Sequence, residues 1–90
     1  MRLLVRNRVK DFASWKQVFD ADADRAARAG LTLLDIWRDA DDPNEVFFML
    51  AVESKARAQA FMADPASAES GERSGVIDGD AHFLQDSESW

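Results

Sequence analysis

Residues 46–52 read Val46-Phe47-Phe48-Met49-Leu50-Ala51-Val52, an apolar run without a polar interruption. Side chains alternate between the two faces of a β-strand, so both faces of this segment are apolar. A strand with one solvated face would instead carry a polar residue at every second position. The run therefore predicts a strand that is buried on both sides, although a register error of one residue would exchange the two faces.

The apolar run is the second half of a predicted β-hairpin that extends from about Leu31 to Glu53. The first strand covers Leu31–Asp39 and the second covers Glu45–Glu53. Between them, Ala40-Asp41-Asp42-Pro43-Asn44 has the composition of a turn. The chain has enough helix to cover one face of this hairpin, so we expect the other face to meet a second copy of the sheet.

Before the hairpin, residues 2–10 alternate as a strand does. Asp11 can cap a helix that runs to about Ala29, and Gly30 ends it. Phe12, Trp15, Val18 and Phe19 recur along it at helical spacing.

After the hairpin, Ser54 can cap a second helix, which Asp64-Pro65 interrupts. A further short helical turn is predicted over Ala66–Arg73, and a last strand within Gly75–Asp86. The predicted order is β-α-β-β-α-β, the ferredoxin-like pattern of an α+β sandwich.

Length and composition limit the functional classes. Ninety residues form one domain, 1–90, and a domain this small buries only about 60–65% of its unfolded surface. The chain has no cysteine, a single histidine and a net charge of −6. We therefore expect no cysteine nucleophile, no metal and no nucleic-acid partner. No apolar segment is long enough to span a membrane or to form the core of a signal peptide. This predicts a cytoplasmic protein without a membrane partner.

Several local strings together resemble the dimeric α+β barrel superfamily, in particular the antibiotic-biosynthesis-monooxygenase-like and small cyclase-like domains. They span nearly the whole chain: Val5-Arg6-Asn7-Arg8-Val9, Asp11-Phe12, Trp15-Lys16, Gly30-Leu31, Ile36-Trp37-Arg38-Asp39, Asp41-Asp42-Pro43-Asn44, Val52-Glu53-Ser54, Ala58 to Phe61, and Asp64-Pro65.

The resemblance implies an antiparallel four-stranded sheet of order 4-1-3-2, with helices on one face and a homodimer formed through the other. It also implies a ligand pocket between helices and sheet. Members include cofactor-free oxygenases of polycyclic phenols, cyclases, isomerases and haem-degrading enzymes. The haem-degrading branch has an Asn late in strand one, a Trp near the end of strand three and a His on helix two. Only Asn7 matches, so we expect no haem and no other cofactor.

Two polar side chains are candidate catalytic residues. Asn7 interrupts an apolar strand face, and His82 is the only side chain that titrates near neutrality. Because strands one and four are neighbours in this fold, the two side chains could converge in one pocket. Candidate ligand-binding residues are Phe12, Trp15 and Trp37. Each of these five also has an ordinary structural interpretation in the core or on the surface.

Other charged motifs favour structural roles. Arg6 and Arg8 lie on the strand face opposite Asn7, which in a central strand would point to the dimer interface. Ion pairing at that interface with Asp35, Glu45 or Glu53 is favoured over anion binding. Asp20-Ala21-Asp22-Ala23-Asp24 begins like a calcium-binding loop but lacks the glycine and the glutamate that such a loop needs next.

Two functions remain open from sequence. One is a non-catalytic dimer that binds a small apolar or aromatic metabolite. The alternative is a cofactor-independent monooxygenase, cyclase or isomerase acting on a polyketide-like or phenolic compound. No base is identifiable, and the substrate cannot be derived from these residues.

Overall fold

The computed structural model describes residues 1–86 and contains a four-stranded antiparallel sheet. Its strands are β1 (Arg2–Val9), β2 (Leu31–Arg38), β3 (Glu45–Val52) and β4 (Val76–Leu84). Their spatial order is β2-β3-β1-β4, which confirms the predicted order 4-1-3-2 and the ferredoxin-like class.

Four helices accompany the sheet: α1 (Phe12–Ala21), α2 (Ala23–Arg28), α3 (Lys55–Ala63) and α4 (Pro65–Ser74). Two of them differ from the prediction. The first helix, expected to be continuous to Ala29, is interrupted at Asp22. The short turn expected after Asp64-Pro65 is instead the ten-residue helix α4.

Local capping explains why α4 forms. The Asp64 side chain accepts a hydrogen bond from the backbone N–H of Ala66 at 2.8 Å, and Pro65 occupies the first turn, where its missing N–H costs nothing. Gly75 has a φ of 80° and ends the helix in the left-handed conformation. Pro65 therefore starts this helix, whereas its place in the sequence predicted only the end of the preceding one.

The core lies between the helices and one face of the sheet. Alternate residues of β3 are buried: Val46, Phe48, Leu50 and Val52 are 0–8% exposed. Leu3, Val9 and Leu31 extend this layer across neighbouring strands, and Trp15 of α1 and Ala58 of α3 close it from above. One face of the sheet is thus fully used by the helices of the same chain.

Two single-residue β-bulges determine which side chains reach that core. On β2, Leu33 pairs with Leu50 and Asp35 with Met49, so Leu34 is an extra residue. On β4, Val76 pairs with Val9 and Asp78 with Arg8, so Ile77 is an extra residue. Each bulge reverses the alternation of the residues that follow it.

The sheet surface away from the helices is called the open face here. It carries Leu4, Phe47, Met49, Trp37 and His82, as the strand pairings show. Arg6 also lies there and contacts Glu45 at 2.5 Å, Asp80 at 3.0 Å and Asp78 at 3.3 Å.

Arg6 and Arg8 pair with Glu45, one of the three expected partners, and the ion pairs form within one chain. Of the other two expected partners, Glu53 pairs with Arg57, and the Asp35 carboxylate accepts from its neighbour's backbone N–H. Hydrogen bonds to Glu45 and then Asp80 hold the pKa of Arg6 above its ordinary value. None of the helices described in residues 1–86 is long and apolar enough to cross a membrane.

Candidate functional site

A cavity of about 280 Å³ lies between the sheet and helices α1, α2 and α4. Its floor is the helix-facing side of the sheet, where Leu31, Leu33, Phe48 and Leu50 line it. Small-molecule sites are concave and mostly apolar, with a few polar groups that fix the ligand's orientation. This cavity has that composition, so we treat it as the candidate site.

An aromatic cluster forms one wall of the cavity. Trp15, which is 2% exposed, stacks on Phe19 with 4.7 Å between ring centroids and 23° between planes. Phe48 meets Trp15 at 5.7 Å and Phe19 edge-on at 5.0 Å. Spacing of three to four residues along α1 places Trp15 and Phe19 on the same side of the helix. This wall of the cavity is therefore aromatic and apolar.

Asn7 brings an amide into the apolar floor. It lies on β1 among the cavity-lining residues, directly across from Gly79 of β4. A Cβ atom at Gly79 would lie 2.6 Å from the Asn7 Oδ1 atom and 2.4 Å from the Arg6 carbonyl oxygen. Only glycine leaves room for the Asn7 amide in this position, so Gly79 determines where that amide lies.

A second part of the cavity lining is polar and comes from the junction of α1 and α2, from α2 and from α4. Asp22, Arg25, Ser67 and Ser70 line it, and they are called the polar wall below. Arg25 Nη2 donates to Asp22 Oδ2 at 3.1 Å and to Ser67 Oγ at 3.0 Å. The cavity lining therefore combines aromatic rings with hydrogen-bonding groups.

Two of the five sequence-predicted residues meet in the cavity. Asn7 and Trp15 both line it. Phe12 packs against Trp15 with 5.8 Å between ring centroids, and the Arg38 guanidinium lies 4.2 Å from the Phe12 ring centroid. Phe12 therefore supports the aromatic wall without lining the cavity.

The predicted convergence of Asn7 and His82 is wrong. His82 pairs with Leu4 and Asn7 with Gly79, which places their side chains on opposite faces of the sheet. The His82 side chain is 64% exposed, with Asp80 at 3.4 Å. The bulge at Ile77 is the cause, because without it His82 would share a face with Val76, which lines the cavity.

The predicted place of Trp37 beside the pocket is wrong for the same reason. Trp37 pairs with Phe47 on the open face, where it is 46% exposed. The bulge at Leu34 turns Ile36 toward the helices and Trp37 away from them. A strand without that bulge would have brought Trp37 inward.

Sequence reasoning missed the polar wall and Gly79. Phe19 could have been found from its spacing to Trp15, but Asp22 and Arg25 carried no such signal. They look like an exposed i,i+3 pair on a continuous helix, and only the interruption at Asp22 turns them toward α4. Within residues 1–86, no group of His, Cys, Asp or Glu side chains is arranged to hold a metal ion.

Comparison with known proteins adds the fold family. No protein-family model and no curated protein matches this sequence. A Bordetella bronchiseptica protein, provisionally named an antibiotic biosynthesis monooxygenase, matches with a TM-score of 0.77 and 13% identity over 96% of this chain and 95% of its own. The chain has the fold of the antibiotic-biosynthesis-monooxygenase-like proteins.

Two further matches show how widely this fold is used. A variant of SnoaB, a cofactor-independent oxygenase from Streptomyces nogalater, gives a TM-score of 0.70 at 16% identity over 99% of this chain and 96% of its own. An uncharacterised NIPSNAP domain protein from Burkholderia xenovorans gives 0.65 at 16% identity over 100% of this chain and 98% of its own. The resemblance inferred from sequence is confirmed as a likeness of fold, and the site must carry the functional argument.

Proposed function

We propose that this chain binds a small apolar or aromatic metabolite in the cavity between the helices and the sheet. The observation that carries the proposal is the cavity itself, with its stacked Trp15 and Phe19 rings and the single Asn7 amide in the floor. An apolar cavity of about 150 Å³ admits benzene. A volume of about 280 Å³ therefore suits a compound of about two fused rings with one polar substituent.

The chemistry of the lining favours binding over acid–base catalysis. The only histidine of the chain points to the open face, so it does not supply a proton shuttle to this cavity. Burial of the Asp22 carboxyl acts to raise its pKa, but hydrogen bonds from Ser70 and Arg25 and the charges of Arg25 and Arg73 lower that pKa further than burial raises it. Asp22 is consequently a weak base at neutral pH.

A cofactor-independent oxygenase, cyclase or isomerase is the second candidate. Likeness to SnoaB over nearly the whole chain favours it, together with the position of Asn7. An amide N–H in a mostly apolar cavity can stabilise a phenolate or enolate oxygen as charge develops on it. In such a reaction the substrate anion itself would supply the electrons that molecular oxygen accepts.

We also propose that the open face docks a second copy of the chain. In one chain it leaves Leu34, Trp37 and Leu84 39–50% exposed, beside the partly exposed Phe47 and Met49. A contact across this face can reach the roughly 1,600 Å² of a standard interface. His82 and Trp37 would then belong to the dimer contact, apart from the cavity. Size-exclusion chromatography with light scattering at micromolar concentration should give twice the mass of one chain; a stable single-chain mass would contradict it.

Titration with naphthalene, followed by intrinsic tryptophan fluorescence, tests the binding proposal. We expect saturable quenching in the wild type, loss of most of it in Trp15→Phe, and retention in Trp37→Phe, which serves as the matched control on the open face. Absence of saturable quenching in the wild type, or its loss only in Trp37→Phe, would contradict the proposed site.

Oxygen uptake with 1-naphthol separates the two functions. A binding protein should add nothing to the rate measured without protein. Uptake that rises with protein concentration and is lost in Asn7→Ala would make the oxygenase the better conclusion.

A further inference from the structure

The interruption between α1 and α2 gives Asp22 an unusual place. Asp22 occupies the N-cap position of α2, yet its side chain makes no capping hydrogen bond. An N-cap aspartate ordinarily accepts from the backbone N–H two or three residues later. Here the carboxylate instead accepts a hydrogen bond from Arg25 Nη2 at 3.1 Å. The Asp22 side chain therefore lines the cavity instead of capping α2.

Arg25 is held in a fixed position at the same wall. Besides its bonds to Asp22 and Ser67, its guanidinium carbon lies 4.3 Å from the ring centroid of Phe61. The Arg25 and Asp22 side chains are only 28% and 27% exposed. Ser67 in turn donates its hydroxyl to the Phe61 carbonyl oxygen, which ties the wall to the end of α3. Because contacts with Asp22, Ser67 and Phe61 already fix its side chain, Arg25 would lose little conformational entropy on binding a further acceptor.

The charges around the wall do not balance. Arg73 Nη2 donates to Ser70 Oγ at 3.1 Å, and its charge also acts on Asp22. The charges of two guanidinium groups, those of Arg25 and Arg73, therefore act on the one carboxylate of Asp22. Asp20, the other acidic residue that lines the cavity, is already paired with Lys16 at 2.6 Å. Counted together, Lys16, Arg25 and Arg73 face the two carboxylates of Asp20 and Asp22, so these five side chains carry one excess positive charge in a chain whose net charge is −6.

We infer that the ligand of this cavity is an anion, a ring compound with one carboxylate that lies against Arg25. The inference rests on the proposed binding function and adds the charge of the ligand. The rings of the ligand lie against Trp15 and Phe19, while its carboxylate accepts charge-assisted hydrogen bonds from Arg25. Asp22 orients Arg25 but also repels the ligand's carboxylate, so its charge lowers the affinity of the cavity for the anion.

Calorimetric titration at pH 7 with 2-naphthoate and 2-naphthamide tests this inference. The two probes share ring and shape and differ in charge. We expect naphthoate to bind the wild type at least about tenfold more tightly, as a charge-assisted bond in a largely dry site implies. Arg25→Gln should remove the preference, because it removes the charge that distinguishes the two probes. Arg28→Gln removes the same charge from an exposed position of α2 and should keep it.

A second variant keeps the test decisive if Arg25→Gln fails to fold. Asp22→Asn removes the repelling charge and no capping bond, so it should increase the preference for naphthoate over naphthamide severalfold. Binding of both probes with equal affinity, or a preference that survives Arg25→Gln, overturns the inference while the binding function stands. Failure of both probes and of naphthalene to bind overturns the proposed function as well.

Discussion

The two faces of β3 are both apolar and have different surroundings. On the helix-facing side, Phe48 and Leu50 are buried at 7% and 8% exposure by helices of their own chain. On the open face, the neighbouring residues Phe47 and Met49 keep partial exposure, and Trp37 is 46% exposed. The fold of one chain therefore explains only half of the apolar pattern of β3. The other half is what motivates a second copy.

The two faces also carry different candidate functions. Asn7, Trp15 and the polar wall are on the helix-facing side and form a cavity. Trp37 and His82 are on the open face, among exposed apolar residues and the Arg6 ion pairs. Substitutions that alternate between the faces should consequently have separable effects.

Phe48→Asp should have the largest effect. It places a carboxylate in the aromatic cluster with Trp15 and Phe19, where no partner can compensate for its burial. We expect a loss of at least about 4 kcal/mol in the free energy of unfolding, enough to leave the chain largely unfolded. Circular dichroism and urea denaturation would show it. A cooperative transition near the wild-type midpoint would mean that this face is not the core.

Met49→Asp is the matched change one residue along, on the open face. The subunit should keep its secondary structure, because no helix covers this side chain. The dimer should dissociate at least about tenfold more readily, since the carboxylate would be buried unpaired at the contact. Sedimentation equilibrium measures this dissociation constant. An unchanged constant would remove the open face as the site of association.

Gly79→Ala should have an intermediate effect. The new methyl group meets the Arg6 carbonyl oxygen at 2.4 Å and the Asn7 amide at 2.6 Å, so β4 must shift. We expect a cost of about 1–3 kcal/mol in stability, together with weaker naphthalene binding because Asn7 moves. Gly71→Ala is the control: nothing lies within 4 Å of its added methyl group, and a helix gains up to about 1 kcal/mol from alanine. Equal thermal midpoints for the two variants would contradict the role given to Gly79.

Asp11 should give the smallest effect, which appears only in acid. A hydrogen bond from the Ser14 backbone N–H, and a second from its hydroxyl, lower the pKa of Asp11 in the folded chain. A lowered folded-state pKa stabilises the fold above the ordinary value of about 3.9, and this stabilisation is lost as pH falls through the folded-state pKa. Asp11→Asn should therefore reduce the difference in melting temperature between pH 5 and pH 2.5. An unchanged difference would show that this cap does not contribute.

The sequence was sufficient for the architecture because the signals are local and redundant. Asp11, Gly30 and Ser54 mark element ends, and the pattern between them gives type and order. The pairing of Arg6 with Glu45 also followed from which face each residue occupies. These features survive an error of one or two residues in an element boundary.

The site was only partly predictable because it depends on single-residue register. Asn7 and Trp15 lie before any bulge, and both reach the cavity. Trp37 and His82 follow the bulges at Leu34 and Ile77, and both are reversed onto the open face. Nothing in the composition of either strand marks the inserted residue. The turn of Asp22 toward α4 is likewise a tertiary effect that helix propensity does not encode.

Trp15 and Trp37 provide the most direct test of this assignment of the two faces, because within residues 1–86 each is the tryptophan on one side of the sheet. Their indole N–H signals can be assigned in ¹⁵N-labelled protein with Trp15→Phe and Trp37→Phe, and followed in two titrations. Adding 2-naphthamide should move the Trp15 signal and leave Trp37 in place, whereas dilution through the dimer dissociation range should move Trp37 and leave Trp15. A ligand that moves Trp37 alone, or a dilution that moves Trp15 alone, would contradict the assignment of the cavity to one face and of self-association to the other.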